Sequence, residues 1–175
     1  MSAIEMHAAD QAQTRGAGTP ADAQPAGGQT ATHLALMIGE QRCLVDLPEA
    51  GEIVPMPTSM LQVPLTRDWF LGVVNVRGTL FTVVDLSRFM GGNFTPITKE
   101  SRLVTMSPAL SFNATLVVTK MLGLRNSATM TLISEQGPAE KPWLAQRFRD
   151  AEGHVWVRLS LSKLVSASAF LVVGR

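Results

Sequence analysis

The chain has 175 residues, enough for one ordinary domain or two small ones sharing an interface, and 46% of them are apolar, so a buried core is within reach. Fifteen Lys and Arg against fourteen Asp and Glu leave a net charge of +1, which excludes the charge excess of a polyanion-coating protein. The lone Cys43 excludes an internal disulfide, no Cys/His spacing suits zinc, and a reducing cytoplasm fits best.

In chain order, residues 1–32 hold nine Ala, four Gly, four Gln and four Thr but no Leu, Val, Phe or Trp. Burial there cannot offset the entropy of ordering, so a disordered tail is expected. Its GAGTPA stretch at Gly16 lacks the strand and helix that a phosphate loop needs, and reads as linker. The first ten residues carry two acids and no apolar core, and no run of about eighteen uncharged apolar residues follows anywhere. Neither a signal peptide nor direct membrane insertion is expected.

Strand periodicity begins at His33. The runs His33–Ile38 and Arg42–Asp46 flank Gly39-Glu40 as a hairpin, and Pro48, Pro55, Pro57 and Pro64 then leave room only for an extended piece over Glu52–Val54. Phe70–Val76 and Leu80–Val84 form the clearest hairpin, joined across Arg77-Gly78-Thr79, where Gly78 supplies the positive φ of a tight turn. Asp85 closes it, and Leu86–Met90 before Gly91-Gly92 reads as one helical turn. Further strands are expected at 102–106, 110–119, 130–134, 144–149 and 154–158. A short helix over 161–165, N-capped by Ser160, and an apolar run over 170–173 finish the chain.

Many short strands with turn signals between them point to an all-β architecture. An internal repeat sharpens this. Residues 67–90 can be laid on 141–165, with Trp69 over Trp143, Leu86 over Leu161 and Phe89 over Leu164, at offsets of 74 before the turn and 75 after it. Upstream, CLVDLPEAGEIV from Cys43 faces TLVVTKMLGLRN from Thr115 at an offset of 72. The repeat predicts two small barrels packed together, one over about 33–98 and one over about 99–175, each too thin-cored to stand alone.

The chemistry of the sequence is sparse. His7, His33 and His154 share no local motif, Cys43 sits among apolar neighbours as an inert thiol, and Asp46 and Asp85 read as capping carboxylates at strand ends. No catalytic set, cofactor motif or metal motif emerges, so an enzyme is not expected. The seven methionines from Met37 to Met130 suit core filling, or a surface that fits an apolar partner. A nucleic-acid-binding small barrel is the alternative. It would have to use the sole basic cluster, Arg147, Arg149 and Arg158, with aromatics making up only 6% of the chain. A general protein-interaction module is the blander reading of the same features.

The stretch WFLGVVNVRGTLFTVVDLSRFMG, from Trp69 to Gly91, closely resembles the hairpin of the CheW-like domains of bacterial chemosensory pathways. CLVDLPEAGEIVPMP upstream is similar to the same family's first half, where a strand ending in Asp leads to a Glu-Ile pair, here Glu52-Ile53. The approach VPLTRDWFLGVVNVRG is most similar to the PilI branch, the coupling proteins of type IV pilus systems. The resemblance covers residues 33–173, is strong over 44–91 and diffuse after Thr98. Val76 for the usual Leu, Phe81-Thr82 where a Pro is common, and Thr119-Lys120 for Asp-Gly are departures from the pattern.

That resemblance implies two packed five-stranded β-barrels with short helices. It also implies a non-catalytic adaptor joining the cytoplasmic tip of a methyl-accepting receptor to the regulatory domain of a CheA-type histidine kinase. The protein would be cytoplasmic, recruited to membrane receptor arrays, and would act in twitching motility. Arg77 and Glu52 match positions tied to receptor coupling, while Asn75 and Gly78 shape the tip that presents Arg77.

Overall fold

The computed structural model describes residues 32–175. Thr32 opens the first strand, and the rest of the expected tail, with its Gly-rich stretch, lies outside the described residues. Eleven strands and three short helices follow: β1 (Thr32–Ile38), β2 (Gln41–Asp46), β3 (Ala50–Pro55), β4 (Phe70–Val76), β5 (Thr79–Val84), α1 (Leu86–Phe89), β6 (Arg102–Met106), β7 (Ala114–Val118), β8 (Lys120–Asn126), β9 (Thr131–Ser134), β10 (Leu144–Arg149), β11 (Val155–Leu159), α2 (Leu161–Val165) and α3 (Ser168–Leu171). The all-β class with short helices is as expected. Strand β8 was not foreseen: Lys120, Gly123 and Arg125 break its apolar alternation, and it lies at a sheet edge where one side of the ladder faces no partner.

Two sheets form, ordered β8-β1-β2-β11-β10-β9 and β3-β6-β7-β5-β4. The expected pair of packed five-stranded barrels takes the form of a six-stranded and a five-stranded sheet, neither closed by hydrogen bonds between its edge strands. Nor do the sheets divide at residues 98 and 99. β1 and β2 pair in one sheet, the chain turns through a 3-10 segment at Leu47–Glu49, and β3 then crosses to pair with β6 in the other. β6 and β7 do the reverse, and β8 returns to pair with β1. The sheets thus exchange a strand reciprocally.

The repeat survives in three dimensions. Asp85 N donates to Trp69 O at 2.9 Å and Ser160 N to Trp143 O at 2.8 Å, and each of these residues caps its following helix through its side chain. In the parallel ladders Cys43 stands beside Val157 and Ala114 beside Thr82, so the equivalent of Cys43 is Ala114, 71 residues on. The expected offset of 72 is corrected by one residue. The apolar run of β7 hid that slip, because Leu116, Val117 and Val118 are all buried and so mark no face.

Alternation along the strands sorts side chains into three layers. Leu34, Leu36, Cys43 and Val45 from one sheet meet Val84, Val104, Leu116 and Val118 from the other in one central cluster, closed by Trp69, Trp143, Leu161, Leu164 and Phe170. Smaller clusters fill the outer concavities: Ala35, Leu44, Phe148 and Trp156 in the six-stranded sheet, and Val74, Val83, Leu103 and Val117 in the five-stranded one. Met106 is buried in the central cluster, and Met56, Met60, Met90, Met121 and Met130, all partly buried, pack against one cluster or another. Cys43 is fully buried, and desolvation pushes its thiol up to about 12, as suits an inert core residue. Glu49 fastens the β2–β3 crossover to α2. Its carboxylate accepts from Leu161 N at 2.7 Å and from the Ser162 hydroxyl at 2.6 Å.

Because both sheets draw strands from each half of the chain, residues 32–98 contain neither sheet whole. Expressed alone, that fragment is expected to lack a cooperative thermal transition and dispersed amide resonances. A sharp melt with a dispersed spectrum contradicts the interlocked arrangement.

Candidate functional site

The β4–β5 connection is the two-residue turn Arg77-Gly78, with φ of 51° and 89°. Two successive positive φ values define the type I′ turn, whose twist matches that of the strands it joins. Gly78 takes this conformation freely, whereas Arg77 does so against the preference of a side chain. Asn75 compensates: its Oδ1 accepts from Gly78 N at 2.8 Å and ties the turn to its own strand. A Cβ at Gly78 would meet open space, so any cost of substitution there is conformational.

β3 and β4 are the two edges of their sheet, yet Arg77 Nε reaches Glu52 Oε2 at 2.8 Å. The sheet therefore curls until its free edges approach, and the ion pair spans the gap. Val54, Pro55, Pro57, Val76 and Leu103 line a depression of about 260 Å³ beneath it. The Arg77 side chain is 81% exposed and that of Glu52 49%, a setting in which an ion pair contributes only ~0–1 kcal/mol. It orients the guanidinium more than it stabilises the fold. Leu80, beside the tip, and Ile53, next to Glu52, add exposed apolar surface.

Thr105 and Gly51 belong to this site and were not foreseen. The β3–β6 register shifts between Ala50 and Ile53, and in that bulge Glu52 N donates to Thr105 Oγ1 at 2.7 Å. A Cβ on Gly51 would lie 2.4 Å from the same oxygen. The bulge aims Glu52 at the tip. Only the glycine immediately before Glu52 hinted at it in the sequence.

The other carboxylates divide. Asp85, buried, caps α1 by accepting from Arg88 N at 3.1 Å and also takes the amide and hydroxyl of Thr95, as a capping residue should. Asp46 makes no cap. It pairs with His33 Nε2 at 3.1 Å and with Arg158, because both side chains come to its face from neighbouring strands. This pairing removes Arg158 from the basic cluster and leaves Arg147 and Arg149 exposed on β10.

At the β10–β11 turn, Asp150 Oδ2 accepts from Trp156 Nε1 at 2.8 Å, and His154 Nδ1 lies 3.2 Å from Asp150 and 3.3 Å from Glu152. These three side chains are close enough to share a cation, but Asp150 already accepts from the indole and from the Glu152 and His154 amides. The indole N–H foremost, then the His154 amide and ring, hold the Asp150 carboxyl down at about 2.

The CheW-like domain profile matches residues 32–169, so the chain belongs to the CheW-like domain family. It is similar to Protein PilI of Pseudomonas aeruginosa, with 27% identity over 161 residues, 90% of this chain and 87% of that one, which places its likeness in the PilI branch. Its fold is that of the scaffolding protein TtCheW from Thermoanaerobacter tengcongensis, with a TM-score of 0.65 at 17% identity, covering 80% of this chain and 95% of the other.

Arg77→Ala is expected to change unfolding free energy by no more than about 0.5 kcal/mol. Gly78→Val should cost about 1–3 kcal/mol, since a β-branched residue at positive φ is strained. Denaturant titration of both variants separates these outcomes. A separate expectation concerns pH. A depressed folded-state value stabilises above the ordinary carboxylate value of about 3.9 and is lost as pH falls towards 2, so Trp156→Phe should move the Asp150 carbon-detected titration upward. An unmoved titration means the indole does not hold the carboxylate.

Proposed function

We propose that this protein is a non-catalytic chemosensory adaptor, coupling the cytoplasmic helical tip of a methyl-accepting receptor to the regulatory domain of a CheA-type histidine kinase, and that it serves type IV pilus twitching motility. The observation that carries the reading is the Arg77–Glu52 pair, held on a rigid I′ turn and spanning the two edges of a sheet in a CheW-like chain. An exposed guanidinium with most of its donors in solvent suits a carboxylate or a helix C-terminus on a partner. Leu80, Ile53 and the adjoining depression supply apolar contact beside it. Asn75 and Gly78 set the tip, and Glu52 fixes the side chain's direction. Among the described residues no helix is long and apolar enough to cross a membrane. In the proposed role the protein acts from the cytoplasm, recruited to receptor arrays.

Binding of a soluble receptor-tip fragment is expected to weaken by about tenfold or more in Arg77→Ala, equivalent to ~1.4 kcal/mol, and comparably in Glu52→Ala. Affinity for the kinase regulatory domain should stay within about twofold in both. Receptor binding at wild-type strength by a folded Arg77→Ala protein rules out the tip as the coupling site.

A further inference from the structure

The internal repeat provides a control that single folds lack, because each position in one sheet has a counterpart in the other. Counting outward from Asp85 and Ser160 through the parallel ladders, Arg158 corresponds to Val83, Asp46 to Val117 and His33 to Leu103. In the five-stranded sheet, Val83, Leu103 and Val117, together with Val74, close the outer concavity with an apolar cluster. In the six-stranded sheet Phe148 occupies the place of Val74, but the other three positions carry an imidazole, a carboxylate and a guanidinium. The fold itself is therefore satisfied by an apolar trio here. With its side chains 36% and 27% exposed, the Arg158–Asp46 pair adds little stability over well-packed apolar residues.

The charged trio borders a cavity of about 690 Å³, a volume ordinary for a small-molecule site, with Leu47, Pro48 and Phe148 as its apolar wall. The donors it can offer a ligand come from two side chains, Arg158 and Gln146. Asp46 accepts from Arg158 Nε at 3.0 Å, Arg158 Nη2 at 2.5 Å and His33 Nε2 at 3.1 Å, so both its oxygens are committed. Glu49, at the rim, is committed to the Leu161 and Ser162 amides and the Ser162 hydroxyl. Gln146 Oε1 accepts from Arg158 Nη1 at 2.9 Å, which leaves one N–H on each terminal nitrogen of Arg158 and the Gln146 amide nitrogen as donors without a hydrogen-bonded partner among the described residues. Those N–H groups suit an acceptor-rich occupant with a short carbon skeleton. We propose that this cavity is a binding site for a small organic carboxylate, held by Arg158 and Gln146, with Asp46 and His33 fixing the guanidinium in place.

The test uses the full chain, titrated with succinate and with citrate against sodium chloride at matched ionic strength, followed by NMR at the Arg158 Nε–H and the Gln146 side-chain amide. Saturable shifts confined to this cavity for at least one acid, with half-saturation at about millimolar concentration or below, are expected. The triple variant His33→Leu, Asp46→Val and Arg158→Val installs the apolar trio of the other sheet. It should melt no lower than wild type and lose the saturable response. Gln146→Met leaves the ion pairs intact, so it decides the matter if the triple variant fails to fold, and its half-saturation should rise at least ~5-fold. No saturable shift in wild type with either acid, or wild-type binding by Gln146→Met or by a folded triple variant, overturns the proposal and leaves the trio as an internal ion pair only.

Discussion

The reciprocal exchange of β3 and β8 is the constraint on which the rest of the molecule depends. Each hairpin, β1–β2 and β6–β7, sends the following strand to the edge of the opposite sheet. The layer between the sheets is thereby fixed in position, and the central cluster gathers buried residues from both, from Leu34 to Phe170. Stacked aromatic rings lock its closed end. Trp69 lies 5.9 Å from Phe170, and Phe89 packs edge-on to Trp69 at 5.0 Å. Such pairs add about 0.5–1.5 kcal/mol beyond the area they bury.

The same exchange places the candidate site. β3 can carry Glu52 to the free edge of the five-stranded sheet only because it has left the sheet that holds β2. The bulge at Gly51-Glu52, pinned by Thr105, then turns the carboxylate towards the I′ tip that presents Arg77. An ion pair of little energetic weight is thus brought together by the placement of the turn and the bulge. That arrangement suits recognition, where orientation rather than local stability sets affinity.

Much of this was legible in the sequence. Strand runs bounded by Gly, Pro and Asp gave most elements, Asn75-Val76-Arg77-Gly78 gave the tip, and paired tryptophans gave the repeat. The illegible parts have physical causes. Which sheet a strand joins is a non-local choice, so the crossing of β3 and β8 left no local mark, and a boundary near residue 98 followed naturally from chain order. Asp46 looked like a cap because Arg158 and His33 lie far from it in sequence and meet it only through the β2–β11 and β1–β2 ladders. Thr105 carries no signal at all, since a buried threonine in an apolar strand reads as β-propensity.

If the sheets are interlocked as described, they unfold as one unit. Native-state hydrogen exchange across increasing denaturant tests this most directly, by comparing the slowest amides of β2 and β11 with those of β5 and β7. The account predicts one common opening free energy and one common denaturant dependence for the two groups. Exchange of one sheet through a separate opening of lower free energy and smaller denaturant dependence, while the other stays protected, contradicts it.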